Sequence, residues 1–238
     1  MRKATLSANN CRANHPPARK VLRHGRLLSA VTLALGTLGT VFWAAAAWAQ
    51  EAPTITHVEE DWRIEVGVPD PDNEAPQIIV VGAPTGTLND VHAVFEINHQ
   101  TQPDYEPGGL QLQRWLGEDI LHYHNNPANG LLSNDNETVT FTMSMKLQNG
   151  NLRFDILNGT SATWGSFGGA GHLQCWSATS LTDLGSFNPD TSLRQSRVGF
   201  ASHRVKKLAR TAVRYYSGDT LVATDSDERI VHQYTEGD

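Results

Sequence analysis

The stretch "TVTFTMSMKLQNGNLRFDI" (138–156) constrains the fold more than any other part of the chain. Val139, Phe141, Met143, Met145 and Leu147 alternate with Thr138, Thr140, Thr142, Ser144 and Lys146, the two-residue period of a half-buried strand. Asn149-Gly150 follows, a pair suited to a two-residue type I′ turn because both positions there take positive φ. Such a turn pairs Gln148 with Asn151, Leu147 with Leu152, Met145 with Phe154 and Met143 with Ile156. Every apolar side chain then falls on one face, and a slip of one residue would turn them all to the other. One unfavourable neighbour pair results, Lys146 opposite Arg153 on the solvent side.

The alternation recurs. "DWRIEVGV" puts Trp62, Ile64, Val66 and Val68 on one face, and "VHAVFEINH" does the same for Val91, Ala93, Phe95 and Ile97, with His92, Glu96 and Asn98 opposite. No stretch carries apolar residues at helical spacing over three turns. Turn-rich segments at 69–76, 83–90, 98–109, 125–130 and 184–192 separate the strands. About ten short strands with Gly/Pro punctuation predict an all-β fold, an antiparallel two-sheet β-sandwich of jelly-roll type. The sandwich is placed at 61–225, after a short lead-in (50–60), and a polar tail (226–238) is expected to fray.

Residues 1–49 are read as a secretory signal. Arg2, Lys3, Arg12, Arg19, Lys20, Arg23 and Arg26 form a basic leader, residues 27–49 carry no charge, and the run ends "AAAAWAQ". Cleavage before Gln50 is expected. An uncharged run of this length also suffices to span a bilayer, which leaves a retained anchor as the alternative. In both cases residues 50–238 are exported, as a secreted, periplasmic or cell-surface domain with no membrane role once the leader is cut. Taking the seven leader cations from 19 Lys/Arg leaves 12 against 25 Asp/Glu, a net charge of −13 where the whole chain carries −6. A surface that acidic repels phosphate backbones, so nucleic acid is not expected as a partner. Arg204, Lys206, Lys207, Arg210 and Arg214 form one basic ribbon, read as a solvated strand face. Cys175 is the only cysteine after the leader and is expected to be a buried, inert thiol.

"WGSFGGAG" (164–171) lacks the GxGxxG spacing, and no helical pattern follows it. That excludes a phosphate loop. Two readings stay open: a glycine-bent crossover between sheets, or a loop lining a ligand site with Trp164 or Phe167 as a stacking face. His122 and His124 share a strand face but have no placed third ligand, so surface residues are preferred to zinc. No cofactor is expected. Asp70, Asp72, Asn73 and Glu74 offer oxygen ligands for Ca²⁺ without EF-hand spacing.

The richest surface comes from "GGLQLQRWL" and "DILHYHN", joined by Gly117-Glu118, a pair suited to a type II′ turn. That turn pairs Trp115 with Ile120, Gln113 with His122, Leu112 with Tyr123 and Gln111 with His124. One face then holds Leu110, Leu112, Leu116, Leu121 and Tyr123, fit for a core. The other holds Gln111, Gln113, Trp115, His122 and His124, extended by Glu96 and Asn98. Amides, imidazoles, a carboxylate and an indole on one sheet face suit a sugar, whose hydroxyls take planar donors and acceptors and whose ring stacks on indole.

The segments "SRVGFASHRVKKLARTAVRYYSGDTLV" and "TFTMSMKLQNGNLRFDI" resemble the closing strands and paired inner strands of concanavalin A-like (lectin/glucanase) sandwiches, across residues 91–222. The resemblance implies two antiparallel sheets, a concave face and carbohydrate binding. The E-x-D-x-E strand of that superfamily's retaining glucanases has no counterpart, since Glu96 is followed by Asn98, and the R-x-E and Y-x-K-x-G strands of its alginate lyases are missing. The expected function is non-catalytic binding of a polysaccharide or cell-surface glycan. The alternatives are a polysaccharide-degrading enzyme, with His99, His122 or His124 as base and Tyr105 or Tyr123 as acid, and an interaction domain without a small ligand.

Overall fold

The Asn149-Gly150 hairpin forms in the predicted register, pair for pair from Gln148↔Asn151 to Met143↔Ile156. Both turn residues have positive φ, 51° and 72°. The like charges at Lys146 and Arg153 are each relieved by an acid, Asp219 at 2.8 Å and Asp155 at 2.7 Å. The structure, a computed structural model, describes residues 52–67, 76–98, 109–125, 132, 134, 136–169 and 171–235. The Ca²⁺ candidates at 70–74, together with Val68, His99 and Tyr105, lie outside the described residues.

In chain order the strands are β1 (His57–Val66), β2 (Gln77–Gly82), β3 (Val91–Ile97), β4 (Leu110–Leu116), β5 (Asp119–Asn125), β6 (Thr138–Gln148) and β7 (Asn151–Ser161). Then come β8 (Gly165–Phe167), β9 (Gln174–Ala178), helix α1 (Pro189–Gln195), β10 (Arg197–Phe200), β11 (Val205–Ser217), β12 (Thr220–Asp225) and β13 (Arg229–Gln233). They form an antiparallel two-sheet β-sandwich. One sheet runs β12-β11-β1-β6-β7-β8, with β13 also on β11 and β9 also on β7; the other runs β10-β2-β3-β4-β5. The inward faces are the alternating sets read from sequence. Trp62, Ile64, Val66, Met143, Met145, Phe154 and Ile156 from the first sheet meet Ala93, Phe95, Ile97, Leu110 and Leu112 from the second.

Three expectations are corrected. The lead-in and tail are structured: β1 begins at His57, and β13 pairs with Lys207–Arg210 of β11. β12 covers only the other end of β11, so the tail completes an edge that would otherwise be bare. The stretch 164–171 is no crossover. Its first residues close a hairpin in which β8 pairs with β7, and after a glycine loop β9 pairs with the same strand. The 162–164 turn is anchored on buried Glu137, whose carboxylate accepts from the Thr163 N–H at 2.7 Å and the Thr163 hydroxyl at 2.6 Å. Nor is the basic ribbon a solvated face. Arg204 and Arg210 are buried, and Arg214 and Lys207 pair with acids.

One of the crossovers between the sheets runs from β9 through α1 to β10. Asn188 caps the helix by accepting from the Asp190 N–H, and Pro189 opens it, the arrangement expected at a helix start. Because β10 pairs only with the first half of β2, the next edge N–H groups need acceptors. Ser196 Oγ accepts from Val81 N–H at 3.0 Å, and Ser192 Oγ from Ala83 N–H at 3.1 Å.

Inside the sandwich, Glu60 and Arg210 form an ion pair at 3.1 Å, both essentially without exposure. The same Arg210 nitrogen donates to the Pro189 carbonyl at 2.6 Å. Burial outweighs the guanidinium and pushes the Glu60 carboxyl from 4.5 up to about 7, so the pair is only partly ionised at neutral pH. The folded chain then holds a proton that the unfolded chain has released. Glu60's contribution to stability is therefore complete below about pH 4.5 and lost as pH rises through about 7. Glu60→Gln, which keeps an acceptor for Arg210, should remove that slope. Glu60→Ala strands a buried charge and should cost about 3–5 kcal/mol. Urea midpoints measured on both sides of this window check both outcomes.

The glycine loop gives a second test. Gly168 and Gly171 both have positive φ, at 81° and 85°, but only at Gly168 would a Cβ strike backbone, the Ile156 carbonyl. Gly171→Ala should cost roughly 1 kcal/mol from φ alone. Gly168→Ala should lower the melting temperature distinctly further, as thermal melts of the two variants will show.

Candidate ligand groove on the five-stranded sheet

β3 pairs with β4 so that Glu96 stands beside Gln111, Val94 beside Gln113 and His92 beside Trp115. β2 sets Ile79 next to Glu96 and Val81 next to Val94. These residues share the outward face, where a groove of about 400 Å³ opens. Its floor includes Glu96, Gln113, His92 and Trp115; Leu88 from the 83–90 loop, Gln195 from α1 and Arg197 from β10 form its walls.

The polar floor is ordered by hydrogen bonds along β4. Trp115 Nε1–H donates to Gln113 Oε1 at 2.8 Å, and Gln113 Nε2–H donates to Gln111 Oε1 at 2.6 Å. Side chains two apart on a strand share a face, so the relay keeps the amide planes and the indole in fixed orientations. Trp115 is half-buried and belongs to no core cluster. His92 Nδ1 bonds the Asp90 carbonyl at 3.0 Å. Burial lowers its pKa below 6.5, against the raising effect of the Asp90 and Leu88 carbonyls, and the ring is neutral at pH 7.

The expected site residues thus divide. Glu96, Gln111, Gln113 and Trp115 are brought together as read. Asn98 is buried away from the groove lining: its Nδ2 donates to the Pro76 carbonyl and its Oδ1 accepts from the Leu132 N–H, tying two segments to the end of β3. Trp164 sits on the β7–β8 turn of the other sheet, edge-on to Phe167. The β4–β5 pairing departs from the prediction at one point. Trp115 pairs with Ile120, but Arg114 pairs with His122, so Leu121 is an extra residue and the remaining pairs shift by one. Gln113 stands beside Tyr123, and Leu112 beside His124. The bulge moves His122 to the Arg114 face, away from Gln113. Leu116, Leu121 and Tyr123, expected in the core, are exposed; the bulge turns Tyr123 to the Gln113 side.

Reading the sequence missed Arg197, Gln195, Ile79 and Val81. "NPDT" (188–191), an N-cap before proline, was the available signal for α1. Also missed was the polar outer face of the eight-stranded sheet. There His57 Nε2 lies 2.9 Å from Ser144 Oγ and 3.5 Å from Glu59. Both contacts use the same ring nitrogen, whereas a catalytic serine needs its acid on the other one; Ser144 is also buried. Arg214 closes this network onto Glu59, Asp61 and Tyr216. Cys175 is buried and its thiol is pushed up to about 12 by that burial, which makes it inert as expected. Among the described residues no cluster of metal-ligating side chains occurs, and no helix is long and apolar enough to cross a membrane. The chain matches none of the known protein-family models and no curated protein.

A histidine titration followed by two-dimensional NMR checks the groove's electrostatics. His92 should titrate below the ordinary 6.5.

Proposed function

We propose that the groove on the five-stranded sheet binds a carbohydrate, as part of a polysaccharide or a cell-surface glycan, without transforming it. The observation that carries this reading is the Trp115–Gln113–Gln111 relay, whose Trp115 and Gln113 line the groove. An indole held edge-on to oriented amides offers a sugar ring one apolar surface and a row of fixed donors and acceptors. Neutral His92 and the Arg197 guanidinium at the wall add polar contacts. The resemblance to concanavalin A-like sandwiches is a fold-level analogy that agrees with this reading. A catalytic reading has less support: His122 lies off this face, and Ser144 with His57 lacks a relayed acid.

Binding to a panel of oligosaccharides, by calorimetry, tests the proposal. Trp115→Ala should keep the fold and weaken affinity about tenfold or more. Trp164→Ala should lose stability and keep affinity. Unchanged affinity in Trp115→Ala for a glycan that the native protein binds would remove the groove from consideration.

A further inference from the structure

The bulge at Leu121 gives the β4–β5 hairpin a second working face. Behind the groove, between β4–β5 of one sheet and β9 of the other, a separate cleft of about 630 Å³ opens. Arg114, His122 and Tyr123 line it from one side, Gly171 and Trp176 from the other. Trp176 and Tyr123 are 58% and 52% exposed, two large rings that a folded chain gains nothing by leaving in water. Arg114 is held in place by an Nη1–H bond to the Trp176 carbonyl, and its buried Nε–H has no acceptor among the described residues. None of the described residues lining the cleft is acidic. In a domain with 25 Asp/Glu against 12 Lys/Arg after the leader, a guanidinium without a carboxylate in the described lining makes a local reversal of sign. Gly171, at φ 85° and with open space where a side chain would be, keeps that part of the wall bare.

We infer that this cleft binds the carboxylate-bearing ring of an acidic sugar. The carboxylate pairs with the Arg114 guanidinium through a charge-assisted hydrogen bond. The ring's apolar face lies against Trp176, and His122 sits within the same wall. This assigns "WGSFGGAG" a ligand-lining part at its last glycine. The site is separate from the groove and does not depend on it.

The test is calorimetry of residues 50–238 in the full exported protein with trigalacturonate and, in parallel, a neutral trigalactose. The acidic trimer should bind and the neutral one should bind at least about tenfold more weakly. Trp176→Ala, a change at an exposed side chain, should weaken the acidic trimer about tenfold. Arg114→Gln should erase the preference for the acidic trimer, and Arg114→Lys should keep part of it; Trp176→Ala carries the test if either fails to fold. No binding of trigalacturonate, equal binding of both trimers, or binding unmoved by Trp176→Ala overturns the inference. Binding lost in Trp115→Ala but kept in Trp176→Ala places the sugar in the groove and overturns it as well.

Discussion

The Glu60–Arg210 pair governs more of this molecule than its two residues suggest. Glu60 takes a position in β1 that alternation reserves for the core, between Val58 and Trp62, and Arg210 enters from β11 beside Trp62. A charge there is tolerable only because it is bonded. Arg210 also binds the Pro189 carbonyl, so the pair fixes where the crossover from one sheet to the other begins its helix. Ser192 and Ser196 then attach that helix to the free edge of β2. The position of the groove wall at Gln195 and Arg197 follows from this sequence of bonds, which starts in the middle of the opposite sheet.

The groove and the cleft lie on either side of one strand. On β4, Gln111, Gln113 and Trp115 face outward while Arg114 faces the cleft. An ordinary hairpin would have put His122 beside Gln113 and concentrated the polar groups on one side. The extra residue in β5 distributes them over two. Bulges act this way wherever a strand must aim a side chain that plain pleating would send elsewhere.

Much of the sandwich was legible. The β6–β7 register followed from one turn pair and one alternating run, because burial punishes a slip so heavily. The outward face of β3 and β4 was legible for the same reason. What failed to show is equally physical. The bulge at Leu121 has no residue signature, since Ile120 and Leu121 are both apolar and either could have faced inward. Arg210 read as part of a solvated face and Glu60 fell in the lead-in, because each is acceptable inside only in the other's presence, 150 residues away. The tail looked too polar to order, but β11 is longer than β12 and had hydrogen-bonding groups to offer Arg229–Gln233.

One arrangement recurs at both margins of the eight-stranded sheet. β7 is flanked not by one strand but by β8 and β9 in succession, and β11 likewise by β12 and β13. Each margin is therefore broken into pieces of three to six residues, separated by a glycine loop on one side and by the 226–228 linker on the other. A long uninterrupted margin would be a template on which a second chain could add itself, strand upon strand, toward a fibre. Broken margins offer no such run. This is protection against aggregation written into strand length.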